Sequence, residues 1–199
     1  MHMIFRFLVL LFTARRRGRL SLFDAGSLPM RALLTDIDMA GHVNNGMYFS
    51  LFDLGRTDLM VRAGAWDVMR RRGWSPVVQA ETVTFRKSVV LHQRFTQETR
   101  IAGLDDRCIY FEQRIVADGE VYVSALMATR LLSKNGPVPN AEILEAMGAE
   151  VPTDLELPEW AERWRRDTAL PGSRKSAPHA WSRSGSSPSL QREVDITGM

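Results

Sequence analysis

Cysteine is nearly absent from this chain: Cys108 stands alone among 199 residues. One thiol excludes an internal disulfide framework and a multi-cysteine zinc site, and it fits a reducing compartment such as the cytoplasm. Cys108 reads as a small buried thiol in a strand. Long apolar runs are lacking too. The most apolar stretch, Met3 to Phe12, contains Arg6 and is far short of the roughly 20 residues that a bilayer span needs. It does not read as a secretory leader, because its positive charges follow the run and no small-residue cleavage site is evident. Gly-rich phosphate loops, Gly-x-Ser-x-Gly elbows and clusters with metal-ligand spacing are also missing, so the sequence implies no metal and no redox cofactor.

Acid is lacking where base is dense. Residues 1–20 hold Arg6, Arg15, Arg16, Arg17 and Arg19 and no acidic residue. Residues 160–199 carry seven basic and four acidic groups, whereas residues 21–159 carry 14 basic and 19 acidic ones. The net charge of +3 therefore belongs to the ends. A nucleic-acid-binding domain carries basic surface on its fold, and this body has an excess of acid, so nucleic acid is not expected as a partner. For residues 1–20 two readings stand: a short helix packed on the body, or an interfacial anchor whose arginines sit on anionic lipid.

What is abundant is polar chemistry within one short segment. Asp36, Asp38, Gly41, His42, Asn44, Asn45 and Gly46 crowd the entrance to a helix-like run from Phe49 to about Ala63. Capping and turn formation need one or two such residues. An active site at a helix N-terminus, where unpaired amides and the dipole favour developing negative charge, uses more of them.

Around this segment the periodicity predicts an α+β layer architecture. A first strand spans Ser27–Leu34 and the long helix follows. Gly46 and Gly55 lower its helix propensity, which suggests that something approaches the helix closely. Trp66–Gly73 reads as a connection whose Arg70-Arg71-Arg72 run is a solvated turn. Four strand-like runs follow at Pro76–Val90, Phe95–Gly103, Cys108–Ala117 and Val121–Leu132, with Asp118-Gly119 as a hairpin signal. Residues 21–135 thus form the main domain, 136–167 carry two short helices (Pro139–Met147 and Pro158–Asp167), and 168–199 read as a disordered tail.

The pattern Asp-x-Asp-x-x-Gly-His-Val-Asn-Asn-x-x-Tyr, carried by Asp36, Asp38, Gly41, His42, Val43, Asn44, Asn45 and Tyr48, resembles the hotdog-fold acyl-CoA thioesterases of the 4-hydroxybenzoyl-CoA thioesterase type. Asp53-Leu54-Gly55-Arg56 resembles that family's acidic-x-x-Arg segment, and Val77 to Val90 its first long strand after the helix. The apolar-then-arginine start and Leu157-Pro158-Glu159-Trp160 are similar to a bacterial branch of the superfamily. The resemblance implies one long central helix wrapped by an antiparallel five-stranded sheet. It also implies a homodimer or homotetramer with active sites at subunit interfaces. It makes Asp38 the catalytic carboxylate, acting as nucleophile or as general base on water. His-Val-Asn-Asn after the glycine is similar to the acyl-carrier-protein thioesterases, so the carrier is either coenzyme A or acyl-carrier protein.

Thioester hydrolysis needs an activated oxygen and a donor for the oxyanion. Asp38 beside the Asn44–Gly46 turn suits both needs. His42 is a general base or a structural hydrogen-bonding residue; Asn45 orients water or the thioester carbonyl, with the Gly46 amide beside it, while Asn44 is the more natural cap. Tyr48 and Phe52 line either the core or the acyl pocket. Arg86 and Lys87 bind coenzyme phosphates or form a solvated edge. Asp53 is a second carboxylate or an intrahelical partner of Arg56, and Asp58–Arg62 is a surface pair. The reading is an acyl-thioester hydrolase. A non-catalytic acyl-thioester-binding scaffold is the alternative, and a dehydratase on the same fold ranks lower.

Overall fold

The computed structural model describes residues 2–172 and 175–177. Two units follow one another along the chain and meet between Leu157 and Pro158. In the first, helix α1 (His2–Ala14) and a 3-10 turn (Arg15–Arg17) lead to strand β1 (Gly26–Arg31). A second 3-10 turn (Leu34–Asp36), helix α2 (Asn45–Arg62) and helix α3 (Ala65–Arg72) come next. The remaining elements are β2 (Ser75–Phe85), β3 (Arg94–Leu104), β4 (Ile109–Ala117), β5 (Glu120–Ser133), the two-residue β6 (Gly136–Pro137) and α4 (Asn140–Met147). The second unit contains α5 (Glu159–Asp167), in which Glu162 pairs with Arg166 at 3.1 Å one turn apart. The tail expected from Thr168 lies for the most part outside the described residues.

The sheet is antiparallel throughout, in the order β1-β3-β4-β5-β2, with β6 added at the end of β5. Its register shifts between Val78 and Ala80, between Ile101 and Gly103, and between Ile115 and Val116. Such bulges bend strands and raise their twist, which lets the sheet curl about α2. The helix shows the consequence. Tyr48, Leu51, Phe52, Leu54, Leu59 and Val61 are buried, and so are Arg56, Thr57 and Asp58. A helix covered on this many sides is enclosed, not laid on a flat face.

Local chemistry explains where the elements begin and end. Asn44 caps α2, its Oδ1 accepting the Gly46 amide at 2.8 Å. The helix therefore starts four residues before Phe49, through a glycine that disfavours helix. Asn44→Ala should cost about 1 kcal/mol, seen as a lower urea midpoint with unchanged slope. Between β4 and β5, Asp118 (φ 51°) and Gly119 (φ 75°) form the expected Asp-Gly hairpin.

Three expectations need correction. The Arg70–Arg72 run is not a turn but the last turn of α3, where cations favour the helix C-terminus. Gly73 closes that helix at φ 66°. Strand β2 stops at Phe85 instead of Val90, because the Arg86 and Lys87 amides both donate to the Tyr122 carbonyl and turn the chain. Asp58 is buried, not superficial: it pairs with Arg62 at 3.4 Å and with Arg17, which fastens the arginine segment to α2.

Candidate active site

The segment between β1 and α2 is a miniature hairpin. Ile37 bridges Val43, the Asp38 amide donates to the His42 carbonyl at 2.9 Å, and the Gly41 amide donates to the Asp38 carbonyl at 3.0 Å. Gly41 sits at φ +80°, a conformation open to glycine at no steric cost. The Asn44 amide donates to the Asp36 carbonyl at 2.8 Å, and His42 bridges Val90. These bonds carry the hairpin into the Asn44 cap, so Asp38 is fixed near the start of α2.

The two aspartates have opposite fates. Asp36 and Asp38 would share a face in an unbroken strand, but the 3-10 turn at Leu34–Asp36 breaks the alternation. Asp36 turns inward, where its carboxylate accepts the Leu33 amide at 2.8 Å and pairs with Arg6 of α1 at 2.7 Å. Asp38 is half-buried, and its Oδ1 accepts the Ala40 amide at 2.9 Å. Its charge reaches Tyr48. That phenol is raised from its ordinary value chiefly by burial, lowered in part by the Val89 amide bonding its oxygen at 3.3 Å, and raised further by Asp38.

The other expected residues divide into three groups. His42 and Asn45 are exposed, His42 on the hairpin where its carbonyl accepts the Asp38 amide and Asn45 at the first position of α2. The Gly46 amide is taken up by the Asn44 cap. Tyr48 and Phe52 lie in the core cluster, 2% and 0% exposed, with Phe85 tilted against Tyr48 at 5.6 Å between ring centroids. Arg86 and Lys87 both pair with Glu120, and Lys87 stands 5.5 Å from the centre of the Tyr122 ring. His92 occupies a turn at φ 64°.

The sequence gives no direct signal for a cavity of about 470 Å³ along α2. Leu54, Thr57 and Met60 of α2, Trp66 of α3, Val78 of β2 and Phe7 of α1 are among its walls. Its polar end holds Asp53 and Arg56, which form the intrahelical pair. Arg56 is buried and donates to Gln113 Oε1 at 2.9 Å, with Glu81 3.8 Å away. Burial lowers the Arg56 pKa, and the charges of Asp53 and Glu81 work against that. Burial likewise pushes the Glu81 carboxyl up, Arg56 opposing and Asp53 reinforcing the shift.

Such a carboxyl holds its proton more tightly folded than unfolded. Its contribution to stability therefore falls as pH rises from the ordinary carboxylate range through the raised folded value. Glu81→Gln removes that dependence. The stability of the variant relative to the parent should rise between about pH 4 and pH 7; a flat or falling difference in urea midpoints contradicts the assignment.

A model of the thioesterase-like superfamily matches residues 32–146, from the end of β1 through α4. The protein THEM6 of Danio rerio is 35% identical over 100 residues, half of each chain. THEM6 of Xenopus laevis is 32% identical over 130 residues, covering 65% of this chain and 61% of that one. The matched part thus spans one half to about three-fifths of the length of these curated relatives. The crystal structure of YbaW, a probable thioesterase from Escherichia coli, shares the fold with a TM-score of 0.57 at 20% identity, covering 61% of this chain and 96% of that one. With the motif hairpin, α2 and strands β2 to β6 all inside the matched residues, the chain belongs to the thioesterase-like superfamily and is built on the hotdog fold.

Proposed function

We propose that the protein hydrolyses acyl thioesters of coenzyme A or acyl-carrier protein, with Asp38 as the reacting carboxylate. The observation that carries this reading is the fixed place of that side chain. One oxygen is held by the Ala40 amide, and the residue sits on the hairpin that leads into the start of α2. Oδ2 is then the oxygen that acts. As a nucleophile it attacks the thioester carbonyl carbon, the C–S bond breaks, and the thiolate takes a proton; water then cleaves the mixed anhydride and restores Asp38. As a base it takes a proton from water, whose oxygen attacks the same carbon.

The oxyanion needs a donor in either case. The Asn45 amide heads α2 and has no intrahelical acceptor by the geometry of a first turn, so it takes this role in place of Gly46. His42 protonates the departing thiolate, and the Asn45 side chain orients water. The cavity beside α2 receives the acyl chain, with its apolar walls of Leu54, Met60, Trp66 and Val78. Strand β2 is one of the two sheet edges, β1 being the other, and pairing two β2 edges gives the homodimer, with a homotetramer as its doubling.

The test is release of free thiol from a chain-length series of acyl-CoA and acyl-carrier-protein substrates by the purified protein. Hydrolysis with a preference for chains that fit the cavity supports the reading. Saturable binding with no thiol release points instead to the non-catalytic acyl-thioester-binding protein.

A further inference from the structure

Helix α1 is apolar on two faces, and among the described residues only one of them has a partner. Leu10 and Ala14 are buried, and Met3, Phe7 and Leu11 pack against the core. On the other side Ile4 (66%), Phe5 (69%), Leu8 (47%), Val9 (43%) and Phe12 (77%) face out. Their spacing of one, three and four residues joins them into a single stripe. Contiguous apolar surface of this kind marks an interaction site.

Charge says what covers it. Arg15, Arg16, Arg17 and Arg19 follow the helix, and residues 1–20 contain no acidic side chain. Arg15 is held by Asp67 at 2.8 Å and Arg17 by Asp58. These pairs anchor the segment to the body, while Arg16 and Arg19 are exposed at the end of the stripe. A protein partner reads polar groups placed around an apolar centre, and the five stripe residues offer hydrocarbon alone. Among the described residues no helix is long and apolar enough to cross a membrane. An apolar face flanked by arginines suits a helix lying in the lipid interface.

We infer that α1 docks the protein on an anionic lipid surface, with the Ile4–Phe12 stripe in the interface and Arg16 and Arg19 against the headgroups. The same helix contributes Met3 and Phe7 from its inner face, and Ile4 from the border of the stripe, to the wall of the cavity beside α2. Docking thus brings the cavity assigned to the acyl chain next to the bilayer. This purpose rests on the hydrolase reading; the docking itself does not.

The experiment is co-sedimentation of the full chain with phosphatidylcholine vesicles, with and without about 30% phosphatidylglycerol. The parent should bind the anionic vesicles, and less so at high salt. Phe5→Gln/Leu8→Gln/Phe12→Gln should weaken binding to them about tenfold or more, while thiol release from soluble acyl-CoA stays as in the parent. Arg16→Gln/Arg19→Gln should remove the preference for anionic vesicles. Circular dichroism and a urea midpoint like those of the parent establish that the variants are folded. The inference is overturned if the parent stays in the supernatant with both vesicles, or if the triple variant sediments as well as the parent. It is also overturned if the stripe substitutions only convert a dimer to a monomer, since a second copy then covers the stripe. Vesicle binding without thiol release would leave the docking in place and remove the hydrolase reading.

Discussion

Asp38→Asn should lower thioester hydrolysis by about 10³-fold or more with little change in stability. The substitution is isosteric, and an asparagine Oδ1 still accepts the Ala40 amide that holds Asp38 at 2.9 Å. The turn that Gly41 closes onto the Asp38 carbonyl involves only backbone atoms. The urea midpoint should therefore stay within about 0.5 kcal/mol of the parent. What disappears is the negative oxygen, which neither route can do without. After a single turnover in ¹⁸O-water, label in the Asp38 carboxylate marks the nucleophilic route, with water attacking the Asp38 carbonyl of the mixed anhydride. A second readout reports on position. The Asp38 charge is one of the influences that raise Tyr48, so the tyrosine titration should move down in the variant. Unchanged hydrolysis together with a shifted Tyr48 would leave the carboxylate in place and deny it the chemistry.

Much of this site was legible because its chemistry is local. Gly41, His42, Asn44 and Asn45 sit within eight residues of Asp38, and turn, cap and helix start obey short-range rules that a sequence displays. Asn44 as the cap and Asp53 as the partner of Arg56 follow from spacing alone. The Asp-Gly turn between β4 and β5 is equally local. Where the reading failed, the deciding partner was distant in sequence. The pairing that draws Asp36 inward has no local signal, because Arg6 lies 30 residues earlier. Asp58 looked superficial because its pairing with Arg17 crosses 41 residues. Helix α3 was hidden by its own three arginines, although Ala65, Trp66 and Met69 repeat at helical spacing. The cavity beside α2 is the plainest case: its walls come from α1, α2, α3 and the sheet, and no local pattern in any one of them announces a void.

The glycines of α2 give the sharpest test of how closely the sheet wraps the helix. Both Gly46 and Gly55 suggested a close approach, but they differ. A methyl group on Gly46 would meet only Asn44 Oδ1, at 3.2 Å. One on Gly55 would overlap the side-chain amide of Gln97, a fully buried residue of β3. That amide cannot easily move. Gln97 donates to Thr99 Oγ1 at 3.2 Å, Gln113 donates to the same hydroxyl at 2.8 Å and to the Phe52 carbonyl at 2.9 Å, and Arg56 donates to Gln113. Gly55→Ala gains about 1 kcal/mol of helix propensity. Against this stand overpacking, at about 1–3 kcal/mol, and displacement of a buried polar group from its partner, at about 1–3 kcal/mol. The expected result is a net loss of about 1–5 kcal/mol, measured as a lower urea midpoint. Because the cause is one side chain, shortening that side chain should relieve it. Gly55→Ala/Gln97→Ala is expected to be more stable than Gly55→Ala alone, even though Gln97→Ala by itself removes buried hydrogen bonds. If Gly55→Ala raises the midpoint instead, β3 does not lie against the helix at this point, and the close wrapping of α2 by the sheet is wrong there.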